Sequence, residues 1–169
     1  VIEALLRSSL SAGFQLLSLN DFTGQGYAPV GVLDPFWDGK GLVTPEKWRE
    51  FCSPSVVLLR YAKSSYFSDE TFLARAEVYN YSDKALRKAK VCWSLRGKDG
   101  RVLASGNAGS HDFPQYAVSA AGDIEIPLSR LKVTRACELT LTVNAGETLS
   151  NSWKIWVFPH VSLPSSDDA

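Results

Sequence analysis

Apolar and polar positions follow two different rhythms along the chain. In the first stretch Ile2, Leu5, Leu6 and Leu10 recur at helical spacing with Glu3, Arg7 and Ser8 between them, and Gly13 stands where a left-handed helix cap belongs. This spacing predicts a short amphipathic helix. The run Phe14 to Leu19 is apolar on both faces, the pattern of a strand buried on both sides in a parallel sheet. A glycine-rich loop follows, and Thr44-Pro45-Glu46 then opens a second helix, with a hydroxyl at the N-cap, proline at the first helical position and a carboxylate in the first turn. That helix is expected to run from Thr44 to Cys52, with Pro54 stopping it. Helix, buried strand, loop and helix is the grammar of an α/β sheet, yet one strand cannot form a sheet. Residues 1–55 therefore read as the last unit of a larger α/β domain.

From Ser55 onward the period is two. Phe72, Ala74, Ala76 and Val78 alternate with Leu73, Arg75, Glu77 and Tyr79; Ala89, Val91, Trp93 and Leu95 with Lys90, Cys92, Ser94 and Arg96; Leu139, Leu141 and Val143 with Glu138, Thr140 and Thr142. Turn signals stand at Tyr81–Lys84, Lys98-Asp99-Gly100, Ala121-Gly122-Asp123 and Asn144-Ala145-Gly146, with a hairpin predicted at Asp99-Gly100. The apolar runs Val56–Leu59, Val102–Ala104, Ile124–Ile126 and Trp153–Phe158 bring the total to about seven strands, the size and spacing of an immunoglobulin-like sandwich. The predicted fold is thus mainly β: an immunoglobulin-like antiparallel β-sandwich over residues 56–162, preceded by an α/β fragment over 1–55. Residues 163–169, rich in Ser and Asp, form an expected disordered tail. Trp156 and Phe158 fall opposite Trp153, Ile155 and Val157, so one set must face solvent or a neighbour, as a sugar-stacking platform or as a contact with another part of the protein.

Eighteen basic and eighteen acidic residues leave no net charge, which argues against a nucleic-acid or anionic-membrane partner, since both want a basic face. No apolar run approaches the roughly 20 residues that span a bilayer. The chain contains no methionine, so Val1 is not a translation start and the sequence reads as a piece of a longer protein. Cys52, Cys92 and Cys137 are widely spaced without a CxxC pair, and His111 and His160 lie in loop-like contexts, so no metal site, cofactor or His-centred triad is expected. Strand phasing places Cys137 inward and Cys92 outward, which excludes a bridge between them. Lys84, Arg87, Lys88 and Lys90 could meet an acidic glycan or guard a solvated sheet edge.

Candidate chemistry concentrates at the carboxyl end of the predicted Phe14–Leu19 strand, where loops of parallel α/β folds converge on ligands. Asn20, Asp21 and Gln25 are hydrogen-bonders suited to a polyol, and Phe22, Tyr27, Phe36 and Trp37 offer flat faces for sugar rings. The same residues also fit an Asx turn and core aromatics, and Asp34 and Asp38 fit turns. Gly24-Gln25-Gly26 lacks the third glycine and the following helix of a dinucleotide fingerprint. A retaining glycosidase needs two carboxyl groups about 5 Å apart across the scissile bond. The strand end offers only Asp21.

The stretch Gly13 to Gly41, followed by Thr44-Pro45-Glu46 and Phe51-Cys52-Ser53-Pro54, resembles the end of the catalytic barrel in glycoside hydrolases of the family 2 type, β-galactosidase-like enzymes common in polysaccharide-degrading bacteria. Beyond residue 60 the likeness lies in domain order and strand pattern. It implies that residues 1–55 close a (β/α)8 barrel with its eighth strand and continue into the sandwich. The family's acid/base and nucleophile, glutamates at the ends of the fourth and seventh strands, would lie upstream of Val1. The chain would then hold no catalytic residue, and Asn20, Asp21 and Gln25 would bind substrate. Implied partners are the carbohydrate substrate and the rest of the barrel, and the implied location is periplasmic or extracellular. The chain lacks the aromatic-rich strand-eight ending of better-studied members, so the sugar is not assigned. Alone it should hydrolyse no glycoside, with Asp21 an ordinary carboxylate on an open surface. A freestanding carbohydrate-binding or adhesion sandwich, covered by its own N-terminal segment, is the alternative, and an unrelated interaction domain the third.

Overall fold

The computed structural model describes residues 2–8, 11, 13–24, 29–133, 136–146 and 149–160. Two short helices, α1 (Ile2–Leu6) and α2 (Pro45–Phe51), precede eight strands: β1 (Ser55–Tyr61), β2 (Ser65–Phe67), β3 (Thr71–Asn80), β4 (Leu86–Gly97), β5 (Val102–Phe113), β6 (Ala117–Pro127), β7 (Cys137–Ala145) and β8 (Leu149–Phe158). A single 3-10 turn, Leu128–Leu131, follows β6. The fold is mainly β. One sheet has the order β1-β3-β6 and is antiparallel throughout; the other has the order β2-β8-β7-β4-β5 and is mixed, because β2 runs parallel to β8.

The alternation read from the sequence decides which side chains meet. Phe72, Ala74, Ala76 and Val78 of β3 are buried, as are Leu139, Leu141 and Val143 of β7 and Trp153, Ile155 and Val157 of β8. Together with Val57, Leu59, Val91, Leu95, Phe113, Ile124 and Ile126 they form one core shared by both sheets. Each buried side chain of this size contributes about 1.5–3 kcal/mol relative to exposure. Cross-strand pairs Val91–Ala145, Trp93–Val143 and Leu95–Leu141 lie on the core face, whereas Cys92 pairs with Asn144 on the outer face. Cys137 shares its face with Leu139 and Leu141, and burial raises its thiol pKa. The predicted hairpin joins β4 to β5, with Gly100 at φ 80 and the Gly97 amide donating to the Arg101 carbonyl at 3.0 Å.

Several expectations are corrected. The helix over residues 2–10 is only five residues long, ending at Leu6, because so short a helix is marginal without packing. Its apolar residues Ile2, Leu5 and Leu6 are half-buried, and its polar Glu3 ties it to the sheets: the carboxylate accepts from Asn151 Nδ2 at 2.8 Å and from Trp153 Nε1 at 2.9 Å. Phe14–Leu19 is not a strand buried on both sides. Leu16, Leu17 and Leu19 are exposed, and only a bridge between Asn20 and Leu33 remains of the parallel pairing, because no neighbouring strand among the described residues covers them. Ala121-Gly122-Asp123 is not a turn but a bulge inside β6, where Ala76 pairs with Gly122 and Glu77 with Ala120. Among the described residues the strands number eight because three-residue β2 escapes any periodicity, and β5 and β6 are far longer than the apolar triplets that signalled them. His111 sits within β5, half-buried, rather than in a loop. The expected tail over 163–169 lies outside the described residues.

The second helix forms as its sequence dictates. Thr44 Oγ1 accepts from the Lys47 amide at 3.2 Å, Pro45 occupies the first turn, and the Cys52 amide closes the helix on the Trp48 carbonyl at 3.0 Å. Trp48 and Phe51, three residues apart, place their rings 5.2 Å apart and are half-buried, while Lys47 Nζ donates to Ser152 of β8 at 2.8 Å.

Candidate functional site

The loop over residues 18–40 is organised around Asp21. Its side chain is fully buried: Oδ1 accepts from the Gly31 amide at 2.9 Å, and Lys40 Nζ lies 2.9 Å from both carboxylate oxygens and 3.1 Å from the Gly31 carbonyl. Gly31 packs so closely on Asn20 that a Cβ there would stand 2.2 Å from the Asn20 carbonyl carbon, so only glycine fits. Backbone bonds from Val32 and Leu33 to the Leu19 carbonyl, and from Asp21 to the Leu33 carbonyl at 3.0 Å, close the loop on itself. A buried carboxylate is tolerable only when paired and hydrogen-bonded, and this one is both. The expectation of an open-surface carboxylate is therefore corrected, because residues 31–40 fold back over it.

Asn20 is half-buried and donates from Nδ2 to the Asp21 carbonyl at 3.2 Å, while its own carbonyl accepts from Ser18 Oγ. Gln25, the third candidate, and Tyr27 lie outside the described residues. Asp34 forms a turn: Oδ1 accepts from the Phe36 amide at 2.8 Å and the Asp38 amide at 2.9 Å. That turn holds Trp37 at φ 72, a conformation costly for a non-glycine residue, and turns Phe36 and Trp37 outward, 83% and 62% exposed. Phe22 is also exposed. Phe22, Phe36 and Trp37 thus stand exposed in a loop whose Asp21 carboxylate is already engaged by Lys40 and Gly31. Among the described residues, no group of three His, Cys, Asp or Glu side chains could hold a metal ion.

Elsewhere two members of the basic cluster are tied to Asp112 of β5, Arg87 by its guanidinium and Lys88 by its backbone amide. Lys88 stands at φ 50 in a bulge of β4; the Lys88 amide, 2.7 Å from Asp112, and the Arg87 guanidinium, at 3.0 Å, hold the Asp112 carboxyl below its usual range. Trp156 and Phe158 are the exposed set of β8, and Phe158 pairs with exposed Phe67 of β2. Residues that sequence reading passed over include Glu3, hidden among the polar positions of a helix, and Asn80, whose signal was a polar residue at an inward position of the β3 alternation.

The sequence signature of a family described as a domain of unknown function, DUF8488, matches residues 70–159, more than half of the chain. The chain belongs to this family. The DUF8488 stretch runs from just before β3 to just after β8, leaving the Asp21 loop and α2 ahead of it. No curated protein matches in sequence. Solved structures similar to the chain include the sporulation control protein Spo0M of Bacillus subtilis, at 17% identity and TM-score 0.47 over 64% of this chain and 51% of that one. A family 123 glycoside hydrolase from Clostridium perfringens has 6% identity and TM-score 0.44 over 64% of this chain and 27% of that one. A β-glucuronidase from glycoside hydrolase family 2 has 13% identity and TM-score 0.41 over 61% and 11%. The chain thus spans about half of Spo0M and smaller shares of the two glycosidases.

Proposed function

We propose that this chain is the closing part of a glycoside hydrolase that acts on O-glycosidic bonds of carbohydrates. Residues 1–55 supply the last helix of a (β/α)8 barrel and the segment, Phe14–Leu19, that becomes its eighth strand when barrel strands pair with it, and residues 56–162 an immunoglobulin-like β-sandwich that braces it. The observation that carries this reading is the set of exposed aliphatic residues in and beside the Asp21 loop. Leu16 at 46%, Leu17 at 90%, Leu19 at 45%, Val30 at 50% and Leu42 at 69% exposure all fall between residues 16 and 42. Barrel strands and helices preceding this segment are the occupants that its sequence resemblance calls for, with the catalytic glutamates among them. Asn20, Asp21 and Gln25 then belong to the substrate end, Asp21 acting through the loop it shapes, and Phe22, Phe36 and Trp37 stack on sugar. A periplasmic or extracellular location accompanies this reading.

The test uses nitrophenyl glycosides with two proteins, this chain and the product of its full reading frame. The longer protein should turn over at least one glycoside and lose activity in Trp37→Ala, while the chain alone stays at the buffer blank. A full reading frame without upstream barrel strands, or turnover by the chain alone, overturns it. The rival reading, a non-catalytic carbohydrate-binding or adhesion module, draws on the exposed row Phe67, Trp156 and Phe158, and would gain from a full reading frame without a barrel.

A further inference from the structure

Asn80 occupies the last inward position of β3 and is fully buried. Its Oδ1 accepts from Ser55 Oγ and Ser82 Oγ, each at 2.7 Å, and from the Ser82 amide at 3.3 Å; its Nδ2 donates to the carbonyls of Lys84 at 2.9 Å, Phe113 at 3.2 Å and Pro114 at 3.3 Å. One amide therefore ties the start of β1, the β3–β4 loop and the β5–β6 turn to a single point. A polar group is buried at this cost only where its bonds are complete, and here the bonds fix two connections and the strand ends beside them.

Those two connections carry tyrosines on their outer side. The Tyr81 amide is held by the Pro54 carbonyl at 2.7 Å. The Tyr79 and Tyr81 rings stack at 4.4 Å and 18°, and Tyr116 stands nearly perpendicular to Tyr81 at 6.1 Å and 74°. Tyr81 is 41% exposed and Tyr116 67%. Tyr116 adopts φ 58, a strained left-handed conformation that glycine would take freely. A groove of about 520 Å³ adjoins Tyr81 through Ser82 and is lined by Glu46, Arg49, Ser53 and Ser150. Its bordering charges are paired, Arg49 with Glu46 at 3.1 Å and Lys47 with Glu50, so it suits a neutral ligand.

We propose that Tyr79, Tyr81 and Tyr116 form a non-catalytic binding site for a neutral β-linked polysaccharide chain. A β-linked hexopyranose with equatorial hydroxyls presents an apolar C–H face of about the size of a phenol ring and keeps its hydroxyls at the rim. The tyrosines offer that ring-sized surface on a frame already rigid, and the Ser53 hydroxyl, which gives its proton to the Arg49 carbonyl at 2.7 Å, remains an acceptor in the groove. Two exposed rings are far less than the roughly 800 Å² per partner that a stable protein interface buries. The site is separate from the Asp21 loop and does not rest on the barrel reading.

Affinity electrophoresis of the full chain tests this, in gels cast with hydroxyethylcellulose, xyloglucan or galactomannan, against plain gel and α-linked dextran. Retardation is expected with at least one β-linked polymer and not with dextran. Apparent affinity should fall about tenfold or more in Tyr81→Ala and in Tyr116→Gly, the latter relieving the backbone strain and so keeping the fold, while Arg101→Ala and Val102→Ser at the exposed β4–β5 hairpin migrate like the parent. Free migration in all three β-linked gels overturns the proposal. So does retardation that survives Tyr81→Ala and Tyr116→Gly, or that disappears in Arg101→Ala or Val102→Ser.

Discussion

Leu17 and Leu141 are the same residue on two parts of one chain, the first 90% exposed and the second fully buried. Around Leu141 both sheets contribute apolar side chains to one core, and order comes from burial. Around Leu17 the chain is shaped by polar bonds instead: the Asp21–Lys40 pair, the Gly31 contact and the Asp34 turn hold a loop whose apolar residues face outward. The difference teaches that well-defined geometry does not require a core. A buried charge with complete bonds fixes a segment equally well, while leaving its hydrophobic surface free for something else.

The largest effect expected from breaking this contrast is local. Lys40→Ala leaves Asp21 buried without its cation, which costs about 3–5 kcal/mol in such pairs. Limited proteolysis should then cut within residues 14–42, while the melting transition of the sheets stays in place; a matching drop in that transition would show that loop and sheets unfold as one unit. A smaller change joins the two parts. Trp48 is half-buried where α2 meets β1 and β8, so Trp48→Ala should remove about 1–2 kcal/mol and lower the melting temperature by about 2–6 °C in a chain of this length. An unchanged melt would make residues 1–55 an appendage. The smallest effect concerns the sheet edge alone. Because the folded-state pKa of Asp112 is depressed below 3.8, its contribution is present above that value and fades as pH falls through the lower folded value. Asp112→Asn should therefore flatten only the acid limb of the stability curve, and an NMR titration should show the Lys88 amide shifting with a midpoint below that of a free aspartate.

Where one physical effect dominated, the sequence was legible. Period-two alternation located β3, β4 and β7 with the correct face inward, the apolar run Trp153–Phe158 located β8 without deciding its face, and the Thr44 cap with Pro45 placed α2 to within a residue. Competition between effects hid the rest. The small and polar run Ser105 to Ser110 carries no apolar rhythm, yet it completes β5 because β4 supplies a partner for its backbone. Gly122 looks like a turn glycine, and its φ of 116 does need one, but the pairing on either side makes it a bulge. At the candidate site, Asn20 and Asp21 were visible as hydrogen-bonders, but not that Lys40, nineteen residues on, would claim the Asp21 carboxylate. Asn80 was readable only as a polar residue breaking an apolar pattern.

The broken register between β4 and β5 bears on how this molecule behaves in a crowd. β5 has β4 on one side only, and an open strand of twelve residues is a template for another chain. Three register shifts interrupt the β4–β5 ladder, at Leu86/Ala89, Val91/Cys92 and Leu95/Arg96, and Gly109 stands at φ 102 within the strand. A fibril grows by adding flat, continuous strands in register, and a margin bent at three points gives an arriving strand no long run of amides to copy. The same irregularities that disguised β5 in the sequence thus make this one margin a poor template for an added strand.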